Sequence, residues 1–98
     1  MKTYDKAAWH IDAGVKKGVV TKHFTLLFSW LESVNLLSDE GLELFEMGLF
    51  SDASLNERLL NDKGNAFISA VYDKLLEEIP YGTEGIVDFL NMKYENNG

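Results

Sequence analysis

The sequence predicts an all-α fold: a single compact bundle of about five helices with an N-terminal loop or small hairpin. Three observations carry that expectation. Apolar residues recur at helical spacing from Lys22 to Tyr94, and helix-start and helix-stop residues punctuate the same stretch. The only proline, Pro80, falls between two periodic segments, where its missing N–H and fixed φ break a helix. With 98 residues, 46% of them apolar and 12% aromatic, the chain can fill one core and not two. Residues 1–98 are therefore read as one helical domain, with 1–21 a loop-rich segment and 95–98 a frayed tail.

Taken in order, Lys2 to Trp9 has room for one helical turn or two. Ile11 to Val20 carries Gly14 and Gly18 and reads as a loop; Val15 and Val19-Val20 around Lys-Lys-Gly also allow a short hairpin. From Lys22 to Val34 the residues Phe24, Leu27, Phe28, Leu31 and Val34 form one apolar stripe, and Leu26 and Trp30 a second. Thr21 is the expected N-cap of this central helix. Ser38 caps the next, which Gly48 ends through a left-handed residue, with Leu42, Phe45 and Leu49 facing inward. Ser54-Leu55-Asn56-Glu57 has capping-box spacing and predicts a shorter helix that buries Leu55, Leu59 and Leu60. The longest helix begins at Asp62 or Asn65 and runs to Ile79, with Ile68, Val71, Tyr72, Leu75, Leu76 and Ile79 on one stripe. A last helix, Thr83 to about Tyr94, buries Ile86, Phe89 and Leu90. Trp30, Phe28, Leu31, Phe67, Val71 and Leu75 are the expected core.

Charge is distributed unevenly within the net −7. Residues 1–31 hold five lysines against two aspartates, a net +3; the remaining residues hold four basic against fourteen acidic groups, a net −10. Phosphate recognition needs clustered Lys and Arg, and Arg58 is the only arginine, so nucleic acid is not the expected partner. The opening Met1–Asp5 is polar and lacks an apolar run of secretory type, and no apolar cluster approaches the roughly 20 residues that span a bilayer. A cytoplasmic protein without a membrane segment is the expectation. The absence of cysteine excludes a disulfide framework, a thiolate zinc site and thiol catalysis.

The richest chemistry sits near the start, where Tyr4, Asp5, Trp9 and His10 stand close together, with His23, the second of two histidines, further on. These five residues are the candidate ligand-binding site, since they combine stacking, hydrogen bonding and proton transfer. A two-His, one-carboxylate metal site is conceivable from His10, His23 and Asp5 or Asp12. No His-Glu-x-x-His or comparable helical spacing supports it, and no metal or other cofactor is expected. Ser29 or Ser33 with His23 and Asp12 lacks a Gly-x-Ser-x-Gly elbow, and Gly64-Asn65 is not a phosphate loop, so no catalytic residue is assigned. The alternative to a site is a structural clasp, in which Trp9 is buried beside the central helix and His10 bonds a carboxylate or backbone group.

Tyr4-Asp5-x-Ala7-x-Trp9-His10, the His23 to Trp30 segment with Phe28-Ser29-Trp30, and Gly64-Asn65-Ala66-Phe67 together resemble an uncharacterised family of small acidic bacterial proteins. The resemblance runs from Tyr4 to about Tyr72. The chain departs from that pattern where Ile11-Asp12-Ala13-Gly14 replaces a glycine pair and where Phe24 follows His23. The resemblance implies a compact, mainly helical domain of unknown function and supplies no catalytic residues.

Charge and size point instead to a protein partner. Small acidic domains such as immunity proteins cover a basic site on another protein with a complementary surface. Here the acidic face would be Asp39, Glu40, Glu43 and Glu46, or Asp73, Glu77 and Glu78. The competing reading of each run is a solvated helix face that keeps a small protein soluble.

Overall fold

Helical period governs most of the chain, but one short antiparallel sheet stands where an all-α fold was expected. The computed structural model describes residues 2–48 and 54–97. In order they form strand β1 (Thr3–Lys6), helices α1 (Ala7–Asp12), α2 (Lys17–Ser33) and α3 (Asp39–Met47), strand β2 (Ser54–Asn56), a 3-10 turn (Glu57–Leu59), and helices α4 (Asp62–Glu78) and α5 (Gly85–Asn97). The fold is therefore mainly helical, with five helices and a two-stranded sheet among the described residues. β1 pairs with β2 through Thr3↔Asn56, Asp5↔Leu55 and Lys6↔Ser54, with an irregularity between Thr3 and Asp5. Its partners lie some fifty residues apart, a separation that no local periodicity reports.

α2 starts at Lys17, ahead of the expected cap at Thr21, so neither a loop nor a hairpin occupies residues 17–20. Val20 continues the stripe of Phe24, Leu27 and Leu31 back by one turn and is buried with them. Thr21 lies inside the helix, where its carbonyl accepts the Thr25 hydroxyl at 2.8 Å. At the other end Asn35 takes a left-handed φ of 61°. Leu36 N–H bonds Leu31 C=O at 2.9 Å and Asn35 N–H bonds Glu32 C=O at 3.1 Å, the paired bonds of a Schellman stop.

α3 follows the sequence closely. The Ser38 hydroxyl accepts Gly41 N–H, and Gly48 closes the helix at φ 73°. Leu42 and Phe45 are half-buried, while Leu49 lies outside the described residues. The predicted helix at Ser54 is instead strand β2 followed by the 3-10 turn, capped by Asn56 accepting Arg58 N–H at 3.0 Å. Leu55, Leu59 and Leu60 are nonetheless buried, because pairing with β1 and packing under α3 use the same apolar groups. α4 begins where Asn61 caps it through Gly64 N–H at 2.8 Å. Leu76, expected on its inner stripe, is 37% exposed; the buried stripe is Ile68, Val71, Tyr72 and Leu75. α5 continues through Asn97, so residues 95–97 are helical where fraying was expected.

The core gathers α2, α4 and α5 around Phe24, Leu27, Leu31, Ile68, Leu75, Ile86 and Leu90. All six residues of the expected core are buried. Trp30 meets Phe67 and Tyr94 at ring-centroid distances of 5.5 Å and donates its indole N–H to Asn91 at 2.7 Å. No helix among the described residues is long and apolar enough to cross a membrane.

Candidate functional site

Alternation along β1 turns Asp5 inward and Lys6 outward, and places a carboxylate that is only 1% exposed between α1, α4 and the turn after Pro80. Burying a charge is costly unless donors surround it, and here four do. Lys6 N–H donates to Oδ1 at 2.8 Å, and His10 Nε2 lies 2.7 Å from the same oxygen. Tyr72 donates its hydroxyl to Oδ2 at 2.5 Å, and Tyr81 does so at 3.3 Å.

His23 extends the network from α2. It is fully buried, with Nε2 2.9 Å from the Tyr72 hydroxyl oxygen, and its Nδ1 accepts Gly82 N–H at 3.5 Å. A backbone N–H only donates, so Nδ1 carries the lone pair and Nε2 the proton. The chain of bonds then has one direction: Gly82 N–H to His23, His23 Nε2–H to Tyr72, and Tyr72 O–H to Asp5. Burial holds the His23 imidazole down to a pKa of about 4, with His10 pushing the same way and Asp5 opposing. Burial, reinforced by Asp5, raises the Tyr72 and Tyr81 hydroxyls above the ordinary tyrosine range, so both stay protonated donors.

The Tyr81 ring lies between the two imidazoles. It stacks on His10 with centroids 4.0 Å apart and on His23 with centroids 3.7 Å apart. Two rings at those distances fit only on opposite faces of the tyrosine, so the histidines do not converge on one point. No group of three or more potential metal-ligating side chains occurs among the described residues.

Of the five residues singled out in sequence, the fold unites Asp5, His10 and His23 and separates the other two. Tyr4 donates to Asn65 Oδ1 at 2.8 Å, and Asn65 in turn donates to the carbonyls of Glu57 and Leu60, which ties β1 to the start of α4 by another route. Trp9 corrects the expectation of burial: it is 52% exposed, with the Lys6 ammonium 5.9 Å from its ring centroid. On short α1, Ala7 and His10 share the inner face at i, i+3, which turns Trp9 outward. Tyr72, Tyr81 and Gly82 were not foreseen as site residues. For Tyr72 the signal was present, since a tyrosine on a buried helix stripe needs a partner for its hydroxyl; nothing local marks Tyr81.

A small cavity of about 120 Å³ lies beside this network, lined by Lys2, Thr3 and Tyr4 on one side and Ile68, Ser69, Tyr72 and Asp73 of α4 on the other. It touches the network only through Tyr72. Elsewhere, Asp39, Glu40, Glu43 and Glu46 are exposed along α3, and Asp73, Glu77 and Glu78 along α4. Glu40 meets Arg58 at 3.2 Å; among the described residues the other six form no ion pair. Compared with known proteins, the chain matches no family model, no curated protein and no solved structure.

Proposed function

We propose that this protein is a non-enzymatic binding module that presents the acidic face of α3 to a basic protein. The observation that carries the reading is uncompensated charge. Asp39 and Glu43 stand one turn apart, as do Glu43 and Glu46, and like charges at such spacings each cost about 0.2–0.5 kcal/mol. Among the described residues, Glu40 alone of the four has an ion-pair partner, Arg58. α3 rests on the core through the half-buried Leu42, Leu44 and Phe45 and carries an exposed Met47, 61% accessible, at the end of its acidic stripe. An apolar anchor beside a charged rim is the arrangement that protein interfaces use. Asp73, Glu77 and Glu78 of α4 form a second acidic run beside exposed Leu76.

Charge complementarity of this kind speeds association and selects partners. It suits an immunity-like role in which the acidic face covers a basic site on another protein, and a cytoplasmic location belongs to the same reading. Affinity capture from the source cell should recover a basic protein at low salt and lose it as salt rises, because exposed electrostatics are screened. The triple variant Asp39→Asn, Glu43→Gln, Glu46→Gln should lose the partner while the corresponding α4 variant keeps it. A partner indifferent to salt and to the α3 substitutions would refute the proposal. A gene for a toxin-like protein beside this one would favour the immunity role.

A second reading, a ligand-binding or catalytic site around Tyr4, Asp5, Trp9, His10 and His23, draws support from one atom, His10 Nδ1, which makes no hydrogen bond while Nε2 meets Asp5. The network is otherwise saturated, and holds β1 against α4 and the turn after Pro80.

A further inference from the structure

We propose that His10 is a phosphoryl-accepting histidine that takes the group on Nδ1 while Asp5 holds Nε2. A carboxylate only accepts hydrogen bonds, so at 2.7 Å Nε2 is the donor, and in the neutral ring the lone pair lies on Nδ1. Nδ1 makes no hydrogen bond, and among the described residues no buried side-chain nitrogen or oxygen lacks one. Nδ1 therefore reaches solvent, consistent with a side chain that is 23% exposed. His23 supplies the contrast within the same network: it is fully buried and both of its nitrogens are occupied.

Satisfying Asp5 does not require His10. Lys6 N–H, Tyr72 and Tyr81 already give the carboxylate three donors. What the fourth contact accomplishes is orientation. The ring is pinned edge-on by Asp5 and face-on by Tyr81, so the Nδ1 lone pair points in one direction, which is the preorganisation a nucleophile needs. The positive charge that grows on the imidazole as Nδ1 bonds an electrophile is met by a carboxylate already in place.

The neighbourhood selects an anionic donor. Val15 N–H donates to the His10 carbonyl at 2.9 Å, which brings the backbone next to Lys16 and Lys17 to the end of α1, and Lys6 directly precedes that helix; these three cations outnumber Asp5 and Asp12, and a field of that sign draws in phosphates. The donor class is an acyl phosphate or a phosphoramidate. With phosphoramidate itself, the Nδ1 lone pair forms a new N–P bond while the bond from phosphorus to the donor's ammonium nitrogen breaks, and ammonia leaves with that electron pair. No proton need move, and Nε2–H remains bonded to Asp5.

The test treats the full chain with phosphoramidate and follows it by intact mass and phosphorus NMR, with N-acetylhistidine as the reference nucleophile. The folded protein should gain one phosphoryl group, on Nδ1 of His10, at least about tenfold faster than the reference. His10→Gln should abolish the product. Tyr81→Leu, which removes the face-on clamp, should bring the rate down toward that of the reference, and Asp5→Asn should do the same and also erase the preference for Nδ1. The wild-type measurement stands even where a variant does not fold. Reaction no faster than N-acetylhistidine, or a phosphoryl group on Nε2, would overturn the proposal.

Discussion

Lowering the pH from 7 to 4 should loosen the molecule at His23. The imidazole is fully buried, stacked on Tyr81 at 3.7 Å, and its one free lone pair faces Gly82 N–H. A second proton would arrive at Nδ1 and set two donors against each other. Burial is the main reason that the folded group resists protonation until a pKa of about 4, against 6.5 for an unperturbed histidine. Between those values the unfolded chain binds a proton that the folded chain does not, so stability falls as pH falls through the window from 6.5 to about 4 and levels off below it. The slope is about 1.4 kcal/mol per pH unit, which accumulates to roughly 3 kcal/mol. Against the roughly 5–15 kcal/mol typical of a small domain, this is a large share. Urea titrations at intervals between pH 7 and 4 would measure it, run in parallel on His23→Gln. The difference between the two slopes isolates the contribution of His23, because every other ionisable group is common to both proteins. Nitrogen NMR should show His23 as the neutral Nε2–H tautomer at pH 6. Identical slopes, or a His23 titration midpoint near 6.5, would refute the reasoning.

Three further outcomes follow from the packing and the network. Trp30→Ala empties a buried site beside Phe67 and Tyr94 and orphans Asn91, and should cost about 3–5 kcal/mol by denaturant midpoint. Gly64→Ala should destabilise by about 1–3 kcal/mol or more, since a Cβ there would lie 2.3 Å from the Leu36 carbonyl oxygen; an unchanged melting temperature would show that the contact between α4 and the turn after α2 is wrong. Tyr72→Phe removes both the 2.5 Å bond to Asp5 and the acceptor for His23 Nε2–H, so it should cost about 1–3 kcal/mol and clearly more than Tyr81→Phe, whose bond to Asp5 is 3.3 Å long.

The helices were legible wherever their causes are local. Ser38, Gly48 and Pro80 act within a turn or two of themselves, and the stripes of Phe24, Leu27 and Leu31 or of Ile68, Val71 and Leu75 repeat with the helix that they specify. The same reasoning placed Asp5, His10 and His23 among the residues to watch, because few side chains in this sequence carry such chemistry. It misjudged Ser54–Glu57, where capping-box letters sit on a strand and a 3-10 turn, and it started α2 too late at Thr21.

What the amino-acid sequence determined by itself is the existence of α2, α3, α4 and α5, most of their inner faces and the separation of positive from negative charge along the chain. Helix hydrogen bonds close within four residues, so side-chain order along the chain is enough to reveal them. Only the tertiary structure decided that β1 pairs with β2, that Trp9 faces solvent, and that Tyr72 and Tyr81 meet Asp5 from 67 and 76 residues away. A buried carboxylate must collect its donors from whatever the fold brings near it, and that neighbourhood exists only once α2, α4 and the turn after Pro80 have closed around β1.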